Sequence, residues 1–143
     1  MYLLKGKNIV ITGASSGIGK ALSIEASKCG ANLVLASRQI DQLEAIKSEI
    51  SNPVSTIFCI QTDVKSQKEC KNLIHLAKQK LGSIDVLINN AGISMRAAFD
   101  EVETRVLEEI MNVNFWGTVY CTKAAISSLL ESKGSLVAVS SVT

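Results

Sequence analysis

The chain has 143 residues, 47% apolar and 20% charged, with a single proline, which describes one folded domain rather than a disordered segment. Its 15 basic and 13 acidic residues leave a formal net charge of +2 spread along the sequence, so no basic block points to nucleic acid or to an anionic membrane as partner. Cys29, Cys59, Cys70 and Cys121 lack Cys-x-x-Cys spacing, and His75, the only histidine, has no ligand-spaced neighbour. We therefore expect reduced thiols and no metal site. Residues 1–7 are too short for a signal peptide and no apolar run reaches the length of a membrane span, so the expected location is cytoplasmic.

The first element is a β-branched run, Asn8-Ile9-Val10-Ile11, followed by Thr12-Gly13-Ala14-Ser15-Ser16-Gly17-Ile18-Gly19. Ile18, Ala21, Leu22, Ala26 and Cys29 then recur at helical spacing up to Gly30, so this stretch reads as strand, turn and helix. Glycine lacks a Cβ, which lets a phosphate approach the backbone where the helix N-terminus offers N–H groups and partial positive charge. The spacing Gly13-x-x-x-Gly17-x-Gly19 differs from Gly-x-Gly-x-x-Gly. It is not a Walker A loop either, because Ala14 stands where that motif needs glycine and Ala21 where it needs Ser or Thr. The candidate phosphate cradle is Gly13, Ser15, Ser16, Gly17, Ile18 and Gly19.

Asn32 to Ala36 forms a second apolar run, ending in Ser37-Arg38 and leading into a helix with Ile40, Leu43, Ile46 and Ile50 on one face. In a doubly wound fold an acidic residue at this strand end favours NAD, whereas an arginine accommodates the 2′-phosphate of NADP through charge-assisted hydrogen bonds. Ser37 and Arg38 thus select NADP(H), with NAD(H) as the weaker alternative. Asn52-Pro53 marks a break, and Ser55–Gln61 supplies a third strand ending at Thr62-Asp63-Val64. Ser66-x-x-Glu69 reads as a capping box ahead of a helix whose apolar face is Leu73, Ile74, Ala77 and Leu81, stopped at Gly82.

Ile84–Ile88 is the fourth strand and runs into Asn89-Asn90-Ala91-Gly92, small and amide residues suited to a close backbone approach. Val102, Val106, Ile110 and Val113 are helically spaced, and Thr118 to Leu130 continues the pattern past Gly117, so one interrupted helix is expected. Asn114 sits beside the interruption, where its amide could instead serve unpaired backbone groups. Lys133-Gly134 ends this helix, and Ser135–Val139 is a fifth strand closing on Ser140-Ser141.

Apolar strands alternating with helices across short connections predict an α/β, doubly wound parallel sheet of Rossmann type in order 3-2-1-4-5. Its switch point falls between the first and fourth strands. The strand ends carrying Gly13, Arg38, Asp63, Asn90 and Ser141 then share the carboxyl edge, where such sheets bind ligands. No solenoid repeat or low-complexity segment competes with a single domain over residues 1–143.

With these residues assembled, the chain resembles the short-chain dehydrogenase/reductase family, which carries T-G-x-x-x-G-I-G, D-V, N-N-A-G, a helix Asn and a Ser after the fifth strand. The resemblance implies that Thr12–Gly19 cradle the cofactor, that Asp63-Val64 lie beside the adenine and that Asn90, Ala91 and Gly92 border the nucleotide. It also implies that Ser141 orients the substrate and that Asn114 supports a water in the proton path. The implied activity is hydride transfer between NADP(H) and a small alcohol or carbonyl compound, by a homo-oligomer when full length, with no nucleic acid or membrane partner. The family's Y-x-x-x-K is missing from these residues. Tyr120-Cys121-Thr122-Lys123 has the wrong spacing and precedes the fifth strand. The sheet is therefore expected to be incomplete on its carboxyl-terminal side, with strand five unpaired along one edge and the chain without turnover of its own. Two other classes remain open: a noncatalytic dinucleotide-binding or regulatory module, and a methyltransferase, which would give Arg38 no role.

Overall fold

The computed structural model describes residues 3–50 and 54–141; the expected break at Asn52-Pro53 lies outside them. The strands are β1 (Asn8–Thr12), β2 (Asn32–Ser37), β3 (Ile57–Gln61), β4 (Val86–Asn89) and β5 (Ser135–Ala138). They form one parallel sheet in the order β3-β2-β1-β4-β5, as the alternating pattern predicts. The helices are α1 (Gly17–Lys28), α2 (Ile40–Glu49), α3 (Gln67–Leu81), α4 (Thr104–Met111) and α5 (Gly117–Ser132), with a π-helical turn at Asn112–Trp116 between the last two.

Side chains alternate across the pleat and so build two cores, one on each face of the sheet. Ile9, Ile11, Leu33 and Leu35 point to one face and pack with Ala26 of α1 and with Leu43 and Ile46 of α2. Val10, Val34, Ile60 and Leu87 point to the other, where they meet Leu73 and Ile74 of α3 and Cys121, Ala125 and Leu129 of α5. Each fully buried Leu or Ile contributes roughly 1.5–3 kcal/mol relative to exposure, which makes the double-faced core the main source of stability.

Element limits depart from the sequence reading in instructive ways. The helix expected from Val102 begins at Thr104, after Glu103 in extended conformation. The expected interruption is a π turn rather than a break, so the helix runs on with one local widening. Gly117 follows that turn because a Cβ there would stand 2.8 Å from Val64 Cγ2, in the connection after β3. Ser66 accepts from the Glu69 amide at 3.2 Å, but the Glu69 carboxylate does not complete a capping box; it accepts instead from the Asp63 amide at 2.8 Å.

β5 is the last strand of the sheet, and its Leu136 and Val137 are 48% and 41% exposed. Phe115, Trp116, Ile126 and Leu130 along the π turn and α5 are exposed as well. Among the described residues no helix is long and apolar enough to cross a membrane, and no group of three or more His, Cys, Asp and Glu could hold a metal ion.

Leu87 is fully buried on β4 between the sheet and the α3–α5 layer. Leu87→Ala should cost about 2–5 kcal/mol in urea unfolding, while Gln79→Ala on the exposed face of α3 should stay within about 0.5 kcal/mol of the parent.

Candidate functional site

At the carboxyl edge of the sheet the connections after β1, β2, β3 and β4 surround a cavity of about 370 Å³. Its position follows from topology: the chain leaves β1 toward one side and β4 toward the other, which opens a crevice between them. The crevice is held by one hydroxyl. Thr12 Oγ1 accepts from the Asn90 and Ala91 amides at 3.0 and 3.1 Å and lies 3.4 Å from the Ile88 carbonyl, to which it donates. In return Asn90 Nδ2 donates to the carbonyls of Thr12 and Gly13, both at 3.1 Å.

This clasp needs two glycines. Gly13 has φ +65°, and a Cβ on it would come within 2.7 Å of Ala91 Cα; a Cβ on Gly19 would strike the Gly13 carbonyl and stand 2.5 Å from Asn90 Nδ2. Gly13, Ser15, Ser16, Gly17 and Ile18 line the cavity, whereas Gly19 does not: it lets α1 pack against the turn from behind. Ser16 caps α1 without a side-chain hydrogen bond and the first turn carries no acidic residue, so the positive end of the helix faces the cavity uncompensated.

The β2 end supplies Ser37 and Arg38, and both line the cavity. Their backbone is pinned: the Ser37 carbonyl accepts from the Thr62 amide at 2.8 Å and the Arg38 carbonyl from Gln61 Nε2 at 3.0 Å. Ser37 Oγ accepts from the Gln39 amide at 3.1 Å, and Ser15 Oγ donates to Gln39 Oε1 at 3.4 Å, linking the glycine turn to the β2 end. From β3 come Asp63 and Val64, and from β4 Asn90, Ala91 and Gly92. Asp63 Oδ1 accepts from the Lys65 amide at 3.0 Å. Lys65 Nζ binds Glu109 at 2.7 Å, and that hydrogen bond, despite some desolvation, raises the ammonium above its ordinary lysine value.

Asn114 and Ser141 stand outside the cavity lining. Both atoms of the Asn114 amide are committed to one backbone unit, Nδ2 donating to the Ile93 carbonyl and Oδ1 accepting from the Ile93 amide, each at 2.9 Å. The amide thus serves the loop after β4 rather than unpaired groups of its own helix, and the Thr118 hydroxyl donates to the Asn114 carbonyl at 3.0 Å. Ser140 and Ser141 are exposed just beyond β5. Sequence reasoning passes over four lining residues, Gln39, Thr62, Ile93 and Val113. The first three adjoin Arg38, Asp63 and Gly92 and were reachable by extending those motifs one residue. Val113 is brought in by tertiary packing of the π turn alone.

The fold is a doubly wound α/β sheet with a crevice at its switch point, and comparison narrows the class. The chain belongs to the short chain dehydrogenase family, whose model matches residues 7–143. It is 40% identical over 144 residues to 3-ketodihydrosphingosine reductase of Mus musculus, covering 96% of this chain and 43% of that protein. It is likewise 40% identical over 141 residues to 11-beta-hydroxysteroid dehydrogenase-like 2 of Arabidopsis thaliana, covering 96% of this chain and 46% of that protein. The chain therefore spans less than half the length of these curated relatives. An alcohol dehydrogenase from the archaeon Thermococcus sibiricus, solved in complex with 5-hydroxy-NADP, superposes with a TM-score of 0.89 at 29% identity, over 92% of this chain and 57% of that one.

Replacing Thr12, which is 1% exposed, with valine keeps the shape and removes the acceptor shared by the Asn90 and Ala91 amides. Thr12→Val should lose about 1–3 kcal/mol in urea unfolding, and Thr12→Ser should recover most of it.

Proposed function

We propose that this chain binds a nicotinamide dinucleotide in the carboxyl-edge cavity, NADP(H) in preference to NAD(H), as the cofactor-binding part of an oxidoreductase. The enzyme would move a hydride between that cofactor and a small alcohol or carbonyl substrate. The observation that carries the reading is the convergence, on one cavity, of the Gly13 turn, the uncompensated N-terminus of α1 and the Arg38 side of β2. The archaeal neighbour's complex with an NADP derivative and the reductase and dehydrogenase names of the relatives support it.

In this reading the first-turn amides of α1, with Ser15, Ser16, Gly17 and Ile18, receive the pyrophosphate. Arg38 and Ser37 hold the 2′-phosphate. Asp63 and Val64 flank the adenine, and Asn90, Ala91 and Gly92 border the nucleotide on the β4 side. Gly19 acts indirectly, through the close packing of α1. When bound, the cofactor supplies the carbon that gives or takes the hydride. Ser141 orients the substrate oxygen. Asn114, fixed by its paired bonds to Ile93, supports a water that carries the proton, and the exposed apolar face of the π turn and α5 joins copies of the full-length enzyme.

The 143 residues contain no Tyr-x-x-x-Lys, the pair that would supply a general acid or base beside the reacting carbon. This favours binding without turnover by the chain alone, and it keeps a second reading in play: a noncatalytic dinucleotide-binding module. A longer product that contains the pair and reduces a carbonyl with NADPH excludes that reading; binding without turnover in such a product supports it.

Calorimetric titration should give tighter binding of NADPH than of NADH and no binding of S-adenosylmethionine. Arg38→Ala should weaken NADPH about 10-fold or more, the worth of a charge-assisted hydrogen bond, and leave NADH nearly unchanged. Equal losses for both dinucleotides would refute the 2′-phosphate role.

A further inference from the structure

Behind the cavity, between α3 and α5, two thiols meet. Cys70 and Cys121 are both fully buried. Cys121 lies beside Cys70 in the core, and Cys70 Sγ donates to the Val64 carbonyl at 3.3 Å. Val64 is itself 8% exposed, lines the cavity and seats against Gly117. A buried hydrogen bond thus ties α3 to the cavity wall.

A thiol carries one proton and can turn it toward any acceptor in reach. For Cys70 the acceptor in reach is the buried Val64 carbonyl. We propose that Cys70 is a positioning residue for the dinucleotide site: it holds the Val64 carbonyl and so fixes the wall of the cavity formed by Asp63 and Val64. The inference rests on the cofactor reading above and adds a residue that lies outside the cavity and outside the family pattern. Elsewhere the connection is held by the Thr62 amide on Ser37, the Asp63 amide on Glu69, the Lys65 amide on Asp63 and Lys65 Nζ on Glu109. Cys70 is what ties its middle carbonyl to the core. Contact with Cys70 together with burial pushes the Cys121 thiol well above its ordinary value, and the same contact draws the Cys70 thiol below its own.

Two readouts test the proposal on the full chain: NADPH affinity by fluorescence titration, and amide hydrogen exchange at Asp63, Val64 and Lys65 without ligand. Cys70→Ala should weaken NADPH about 5-fold, the worth of one hydrogen bond, and speed exchange at these three amides. Cys70→Ser, which keeps a donor, should restore affinity to within about 2-fold. Leu129→Ala, a cavity variant near the far end of α5, should lower stability yet leave both readouts of the folded chain unchanged. Equal losses in Cys70→Ala and Cys70→Ser, or losses matched by Leu129→Ala, would reduce Cys70 to core packing and overturn the proposal. If the parent chain binds no NADPH, the cofactor reading fails instead, and the exchange comparison alone decides whether Cys70 holds the wall.

Discussion

The Thr12 hydroxyl and the Asn90 amide bind each other's strands at the point where β1 and β4 part, and the cavity depends on this clasp. Thr12 gathers the Asn90 and Ala91 amides while Asn90 returns two hydrogen bonds to the Thr12 and Gly13 carbonyls. At a switch point the connections diverge and leave polar backbone without ladder partners, so these groups must find side chains or stay unpaired in a nearly dry setting. The clasp satisfies them and sets the distance between the glycine turn and the β4 end. That distance is short enough to exclude a Cβ at Gly13 and at Gly19. The glycines are therefore consequences of the clasp as much as an adaptation to a ligand.

From that fixed point the cavity is assembled by backbone rather than by long side chains. The Ala14 amide donates to the Ala36 carbonyl at 3.1 Å and the Thr62 amide to the Ser37 carbonyl at 2.8 Å, carrying the alignment outward from β1 to β3. Arg38 is the basic side chain this framework presents to the cavity, Asp63 the acidic one, and the latter's oxygen is partly engaged by the Lys65 amide. The site offers an anion a helix end and a guanidinium, both held on rigid strand ends. That arrangement suits a long, multiply charged ligand better than a compact one.

The sheet order was legible because each strand is a short apolar run and each helix shows 3.6-residue spacing, and right-handed crossovers then leave few arrangements. Gly13, Arg38, Asp63 and Asn90 were legible for the same reason: they stand at strand ends, and the topology brings strand ends together. What escaped was set by packing. Nothing local marks Val113 as part of the cavity wall, and the π turn that delivers it reads in sequence as an interrupted helix. Nor does sequence reveal that Glu69 reaches to Asp63 instead of closing its own capping box, or that the Asn114 amide spends both its atoms on Ile93. In each case a side chain with a plausible local partner finds a better one across the fold.

The central claim is that a dinucleotide lies along the carboxyl edge in contact with all four strand ends, and amide chemical-shift mapping during an NADPH titration tests it most directly. The account predicts saturable shifts at Gly13 to Ile18, Arg38 and Gln39, Asp63 and Val64, and Asn90 to Ile93, with the amides of the amino edge around Asn8 and Asp85 unmoved. Shifts confined to one of these segments, or centred on α3 and α5, would contradict it.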